Sequence, residues 1–297
     1  MKIIRQLGLH CQVVDPTGQL RDLCLSHLFC LMIFLQRFVN DRQTFISVCL
    51  IQRGWQLGLA RTGGQILRYP LTTENDFELT GDFLNYLSKT NPEAVFLCNP
   101  NNPTGRTIAP ALLGAILDFC SQHGISLFVD ECFLDLADSG ESLVPFLQDH
   151  RNLFILKAFT KSYGMAGIRL GYCMTSDSAL LTRMAQCTQP WNVSHLAQAA
   201  GIAALREQEF LQKTKALIAP ERWWLKDALE QCGFHVCPSD ANYLLFRADP
   251  ALHGKLKEKK IAIRNCSNYE GLEPGWYRIA VRCHAENEML LRAIREV

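Results

Sequence analysis

Between Ala94 and Met174 the chain alternates short unbroken apolar runs with longer segments whose apolar residues recur three and four positions apart. Ala94-Val95-Phe96-Leu97-Cys98, residues 125–129 and Leu153-Phe154-Ile155-Leu156 contain no polar alternation, which is the pattern of strands buried on both faces of a parallel sheet. A helix is predicted to open at Pro110, to carry Leu112, Leu113, Ile116, Leu117 and Cys120 on its apolar side, and to close at Gly124. Proline inside the start and glycine past the end fit the two helix termini. Before this region, residues 65–69 read as a strand ended by Pro70 and residues 79–88 as a helix; after it, residues 171–174 read as a strand. This strand–helix–strand rhythm predicts an α/β domain with a mostly parallel sheet, whose ligands sit at the carboxyl ends of the strands.

Beyond Met174 the rhythm changes. Alanine-rich helical text runs over residues 176–217, interrupted at Pro190-Trp191-Asn192, and a further helix is predicted from Pro220 to Cys232, stopped by Gly233. Strand-like runs follow at 234–236, 242–246, 261–264 and 276–281. The last helix carries Glu286 and Glu288 early and Arg292 and Arg295 late, matching the helix dipole. A smaller α+β domain is therefore predicted for 206–297, after a large domain over 54–205. Residues 1–53 show little periodicity and stay unassigned. Their apolar run from Leu23 to Leu35 is too short to span a bilayer and sits wrongly for a signal peptide, so it reads as a buried helix.

Composition narrows the function by exclusion. With 48% hydrophobic and 20% charged residues and a net charge of +1, the chain is globular and offers no electrostatic case for nucleic acid or an anionic membrane. Its 13 cysteines show no C-x-x-C pair and no regular spacing with histidine, which fits free thiols in a reducing cytoplasm. There is no H-E-x-x-H, no G-x-x-x-x-G-K-[ST] and no G-x-S-x-G, so metal, P-loop and hydrolase chemistry are not expected.

Three polar residues sit just beyond the three buried strands: Asn102, Asp130 and Lys161, with Arg169 eight residues after the lysine. Each has an ordinary role available, as a turn residue, a cap, or a solvated or ion-paired side chain. In this order they suit pyridoxal phosphate chemistry. A lysine among apolar and small residues can lose its proton and condense with an aldehyde, arginine holds a phosphate through a planar fork, aspartate keeps a pyridine nitrogen protonated, and asparagine donates to the phenolic oxygen.

The stretches NPNNPTG (99–105), VDE (129–131) and TKSYGMAGIRLGY (160–172) resemble the fold-type I pyridoxal phosphate enzymes. The branch is that of the histidinol-phosphate aminotransferases and threonine-phosphate decarboxylases. Residues 263–272, Trp276-Tyr277-Arg278-Ile279-Ala280-Val281-Arg282, residues 189–193 and residues 241–245 lean toward the decarboxylases. The resemblance implies pyridoxal 5'-phosphate as cofactor, Lys161 as its lysine, and Asp130, Asn102 and Arg169 as its ligands. It also implies Arg264 and Arg278 as substrate ligands, a small phosphorylated amino acid as substrate, and a homodimer. The implied reaction is loss of CO2 from O-phospho-threonine, giving aminopropanol phosphate for cobalamin; an aminotransferase, or a non-catalytic remnant of the fold, stays open. The chain departs from the branch in three places. Phe133 stands where aminotransferases of this class have tyrosine. Ala158 replaces a serine or threonine on the phosphate, a loss of about 1–3 kcal/mol in cofactor binding for a charge-assisted hydrogen bond. The glycine-containing phosphate loop of the branch is not found in residues 1–53.

Overall fold

The structure is a computed structural model that describes residues 12–14, 20–22, 44–48, 65–187 and 190–297. Two short strands, β1 (Gln12–Val14) and β2 (Leu20–Asp22), pair antiparallel. The main sheet has six strands: β3 (Thr44–Val48), β4 (Gln65–Arg68), β5 (Ala94–Cys98), β6 (Ser126–Asp130), β7 (Leu153–Ala158) and β8 (Gly171–Met174). They lie in the order β4-β3-β5-β6-β7-β8. All neighbours are parallel except β7 and β8, so the sheet is mixed at one edge.

The three unbroken apolar runs form the centre of this sheet. Their alternate side chains serve two faces. Val95, Leu97, Leu127, Val129, Leu153 and Ile155 join one core, together with Leu113, Ile116 and Leu117 of the helix over Pro110–Gln122. On the opposite face Phe96, Phe128 and Phe154 are register partners and stack in a ladder, with ring centroids 4.6 and 4.5 Å apart. Each aromatic pair adds about 0.5–1.5 kcal/mol beyond burial, and a one-residue slip would break both pairs at once.

The described helices are α1 (Asp82–Thr90), α2 (Pro110–Gln122), α3 (Phe159–Ser162), α4 (Ser178–Cys187), α5 (His195–Ala204), α6 (Gln208–Gln231), α7 (Leu252–Glu258) and α8 (His284–Arg295). The second sheet is antiparallel throughout: β9 (His235–Val236), β10 (Tyr243–Arg247), β11 (Arg264–Asn265) and β12 (Trp276–Ala280), in the order β11-β12-β10-β9. One of its faces, through Leu244, Phe246, Tyr277 and Ile279, packs on Leu225 and Leu229 of α6 and Leu291 of α8. The other, through Cys237, Leu245 and Trp276, joins the core of the main sheet.

Several expectations need correcting. The helix predicted to begin at Pro220 is the second half of α6, which runs through the proline. Proline removes one backbone donor, but Ile218, Arg222, Leu225 and Leu229 are buried on both sides of it, and that packing carries the helix across. Arg222 donates to the carbonyls of Asp240 and Ala241, each at 3.2 Å, and pairs with Asp138. Helix α7 was not expected, because Gly254 and Lys-rich text mask its two buried anchors, Leu252 and Leu256. The strand expected over 261–264 forms only at Arg264–Asn265. Strand β3 comes from the segment where periodicity is silent, while the apolar run Leu23 to Leu35 lies outside the described residues.

The loop after β5 is fixed to the second sheet. Gly105 donates to the Asn101 carbonyl at 2.7 Å, Asp240 donates to the Gly105 carbonyl at 2.9 Å, and the Tyr243 hydroxyl donates to the Asn101 carbonyl at 2.9 Å. Gly105 has φ +81°, and a Cβ there would collide with the Ser239 hydroxyl. Gly105→Ala is therefore expected to destabilise the protein by about 1–3 kcal/mol, read as a lower midpoint of urea unfolding.

Candidate functional site

The carboxyl ends of β5 and β6 are level, with Cys98 the register partner of Asp130 and Asp130 of Leu156, and β7 runs two residues further, to Ala158. Backbone bonds from Asn99 to the Asp130 carbonyl and from Glu131 to the Leu156 carbonyl, both 2.9 Å, extend the ladder by one rung. The chain leaving these strands carries Asn102, Asp130 and Lys161. The second sheet closes over them with Tyr243 and Arg278, on the face that meets the main core.

A cleft of about 440 Å³ opens between these parts, lined by Phe133, Lys161, Tyr243, Arg264, Arg278 and the strand-flanking Ile263 among others. That volume suits a small ligand. Lys161 keeps its surface open to the cleft, and its amine lies 5.3 Å from the centre of the Phe133 ring. Its pKa is lowered, first by burial and then by the positive charge of Arg278, with Arg169 adding to this and Cys132 and Asp130 opposing it. Less water and a neighbouring cation both disfavour an ammonium. The amine is thus readied to act as a base or nucleophile.

Arg278 ties the site together. Its guanidinium donates to the Asn102 side-chain oxygen and lies 5.0 Å from the centre of the Tyr243 ring. Arg264 is its register partner across β11 and β12. Like charges directly opposite on a sheet repel, and among the described residues Arg278 has no carboxylate within salt-bridge distance. Arg264 lies 5.9 Å from the centre of the Tyr269 ring and lines the same cleft. The pair is a ready site for an anion, which arginine binds through two parallel donors.

Asp130 is buried, and one of its oxygens accepts from the backbone amide of Cys132 at 3.0 Å. Asn102 is buried under Arg278. Arg169 adopts φ 60°, an unusual conformation for a non-glycine residue, and donates to the Ala166 carbonyl at 3.0 Å. Of the six residues singled out in the sequence, Lys161, Arg264 and Arg278 line the cleft, Asn102 is joined to it through Arg278, and Asp130 and Arg169 lie close enough for their charges to act on Lys161. Phe133 and Ala158 pack with Cys132, Ala241 and Tyr243 beneath the cleft. The phosphate loop sought in residues 1–53 lies outside the described residues.

Sequence reasoning missed the support behind the site. Lys157 lies on β7 with its amine 2.8 Å from Asp135 and 3.3 Å from Glu131, which is fully buried. Ser162, next to Lys161, donates to Asp135 at 2.9 Å, and Ser142 and the Leu143 amide donate to Glu131 at 2.6 and 2.9 Å. The signal was present: a lysine inside the buried run LFILKA must be paired, because an isolated buried charge is too costly. Burial alone would lower the pKa of Lys157, but the Asp135 and Glu131 carboxylates outweigh it and hold it above the ordinary 10.5.

The model of the aminotransferase class I and II family matches residues 55–297. The chain is 39% identical over 243 residues to a threonine-phosphate decarboxylase of Salmonella typhimurium, covering 80% of this chain and 66% of that protein. It is 32% identical over 217 residues to a histidinol-phosphate aminotransferase of Caldanaerobacter subterraneus, covering 72% and 60%. The chain thus spans slightly less than two thirds of the length of these curated relatives. Among solved structures it superposes on a histidinol-phosphate aminotransferase from Clostridium acetobutylicum with TM-score 0.83, at 24% identity over 92% of this chain and 82% of that one. It superposes on an L-threonine-O-3-phosphate decarboxylase from Porphyromonas gingivalis with TM-score 0.74, at 21% identity over 96% and 82%. These structural likenesses show the shared fold.

Replacing Lys157 by methionine leaves two carboxylates without their cation and is expected to cost about 3–5 kcal/mol of stability. A raised folded-state pKa means that the ammonium contributes fully below its ordinary 10.5 and that this contribution is lost as pH climbs through the folded value. Unfolding midpoints measured from neutral to strongly alkaline pH should show that loss in the unaltered chain and not in Lys157→Met.

Proposed function

The chain belongs to the aminotransferase class I and II family, and on that premise we propose that it is a pyridoxal 5'-phosphate-dependent decarboxylase of L-threonine O-3-phosphate. The products are CO2 and (R)-1-amino-2-propanol O-2-phosphate, a precursor in cobalamin biosynthesis. The observation that carries this reading is the meeting, in one cleft, of a partly desolvated lysine with two arginines paired across adjacent strands. The most similar curated relative named above is a threonine-phosphate decarboxylase.

The donor set fits the cofactor. Lys161 offers an amine of lowered pKa, Asp130 a buried carboxylate already oriented by the Cys132 amide, and Arg278 a cation with no acidic partner among the described residues. When bound, the cofactor supplies an aldehyde for a lysine amine and a protonated ring that accepts the electron pair of a bond broken at the substrate α-carbon. In this assignment Lys161 would hold the cofactor carbonyl carbon, Asp130 would hold the proton on the pyridine nitrogen, Asn102 would contact the phenolic oxygen, and Arg169 the phosphate.

Arg264 and Arg278 would hold the substrate's two anionic groups, its carboxylate and its phosphate. Cross-strand pairing sets their Cβ atoms about 4.5–5.5 Å apart, so the two ends of a four-carbon phosphorylated amino acid can be gripped together. Fixing the carboxylate selects the bond that breaks. Lys161, once released, would return a proton to the α-carbon. Phe133 offers an apolar wall beside the amine and no hydroxyl, in keeping with the decarboxylase side of the branch. The named aminotransferase relative supports a second reading, in which the α-proton is removed instead.

We also place the chain in the cytoplasm as a homodimer. Buried free thiols such as Cys120, Cys173 and Cys237 suit a reducing compartment. Among the described residues, no helix is long and apolar enough to cross a membrane. Trp191 and Leu196, 94% and 75% exposed, offer apolar surface for a second copy.

Two outcomes test the proposal. Loaded with pyridoxal phosphate, the purified chain is expected to absorb in the visible, and Lys161→Ala to lose that band; with O-phospho-threonine it should release CO2 and no keto acid. A keto acid product would make it an aminotransferase, and no band at all a non-catalytic remnant. Arg278→Met removes a cation that holds the Lys161 pKa down, so the pH at which the cofactor is taken up should move upward, measured as the rate of absorbance gain against pH.

A further inference from the structure

On the sheet face that carries Arg278, three residues that the catalytic account does not use converge. Asp76 follows the short turn Thr73–Asn75, His235 lies on β9, and Cys237 comes two residues later. Their ligand atoms all lie within 4.8 Å of one another. His235 Nε2 is 2.9 Å from an Asp76 oxygen and 4.0 Å from Cys237 Sγ.

The donor set decides which ion would fit. A sulfur, an imidazole nitrogen and one carboxylate oxygen suit a borderline-soft divalent ion such as zinc, whereas calcium and magnesium need shells made almost wholly of oxygen. Zinc sites take these three residue types at about 2.0–2.3 Å, which places tetrahedral ligand atoms roughly 3.3–3.6 Å apart, so the His235–Asp76 separation must open and the His235–Cys237 separation close by about half an ångström, and the widest pair close by up to about 1.3 Å. Three protein ligands leave the fourth position to water.

The surroundings hold the ligands while leaving an entry path. Cys237 is fully buried and its amide donates to the Leu245 carbonyl at 2.9 Å. Asp76 has φ 52° and its amide donates to the Thr73 carbonyl at 3.2 Å. The Trp276 ring meets both Phe77 and the His235 ring edge-on, at 5.4 and 5.9 Å. His235 is exposed, so an ion could arrive from solvent. Burial and then the Asp76 charge push the Cys237 thiol up to about 12, against a smaller opposing effect of Arg106, which is itself paired with Glu78 at 2.8 Å, so the ion must displace the thiol proton.

We propose that Asp76, His235 and Cys237 form a binding site for a zinc-class divalent cation, which clips the segment entering α1 to the second sheet. On binding, metal–sulfur, metal–nitrogen and metal–oxygen bonds replace the His235–Asp76 hydrogen bond and three of the ion's bound waters, the proton on His235 Nε2 moves to Nδ1, and the Cys237 thiol proton passes to water. No electron is transferred. The clip would restrain movement of the sheet face that carries Arg278, and it does not depend on the decarboxylase reading.

The test is zinc alone, added to the full-length purified chain free of pyridoxal phosphate. Equilibrium dialysis with elemental analysis should find one zinc bound per chain at this site, and cobalt in its place should give a sulfur-to-metal charge-transfer band. His235→Gln, at an exposed position that does not threaten folding, should weaken zinc binding by at least about tenfold and abolish the band. Cys283→Ser, which removes an exposed thiol elsewhere, should leave both unchanged. Zinc should also raise the thermal midpoint of the unaltered chain and not that of His235→Gln. Equal zinc affinity in the unaltered chain and His235→Gln, or no zinc bound by the unaltered chain, would overturn the proposal.

Discussion

The structure depends on the registration of three parallel strands. β5, β6 and β7 are buried on both faces, and their stacked phenylalanines, Phe96, Phe128 and Phe154, fix the strands relative to one another. Because the rungs are in register, the loops leaving β5 and β6 begin at the same height, and the segment leaving β7 begins two residues beyond it. Asp130 ends one strand, and Asn102 and Lys161 sit a few residues beyond the other two. A slipped strand would turn its core-facing residues to the other side and carry its polar residue away from the cleft. The chemistry of the site is set by this alignment before any side chain makes a contact.

The second constraint is an excess of positive charge in a partly desolvated place. Arg278 and Arg169 act on Lys161, Arg264 lines the same cleft beside Arg278, and Asp130 and Cys132 offer only partial compensation. Such an arrangement lowers the cost of a neutral amine and raises the gain from an anionic ligand. Immediately behind it, Lys157 does the opposite. Two carboxylates enclose it, hold it charged and tie β7 to the loop over 134–136. Two lysines four residues apart therefore have opposite electrostatic settings, one for reaction and one for structure.

Much of the fold was legible because buried strands leave unbroken apolar runs and α2 carries both of its end signals. The failures have physical causes. Pro220 reads locally as a helix start, yet packing on both sides carries α6 through it. α7 has few apolar positions and an internal glycine, so its two buried leucines were too weak a pattern. Asn102, Asp130, Lys161 and Arg169 were singled out by their order and positions near strand ends, and Arg264 and Arg278 through the resemblance to a family. The contact between Asn102 and Arg278, 176 residues apart, was not legible, nor was that between Asp76 and His235, 159 apart, outside this set. Contacts across such separations arise from the packing of the two sheets and leave no periodic trace along the chain.

The central claim is that, of the two lysines beside β7, only Lys161 is set up to react. Reducing the cofactor-loaded protein with borohydride would fix the cofactor to whichever lysine holds it, and peptide mass spectrometry would locate it. The account predicts the added mass on Lys161 and none on Lys157. Mass on Lys157, or an unmodified Lys161 in a protein that has taken up the cofactor, would contradict it.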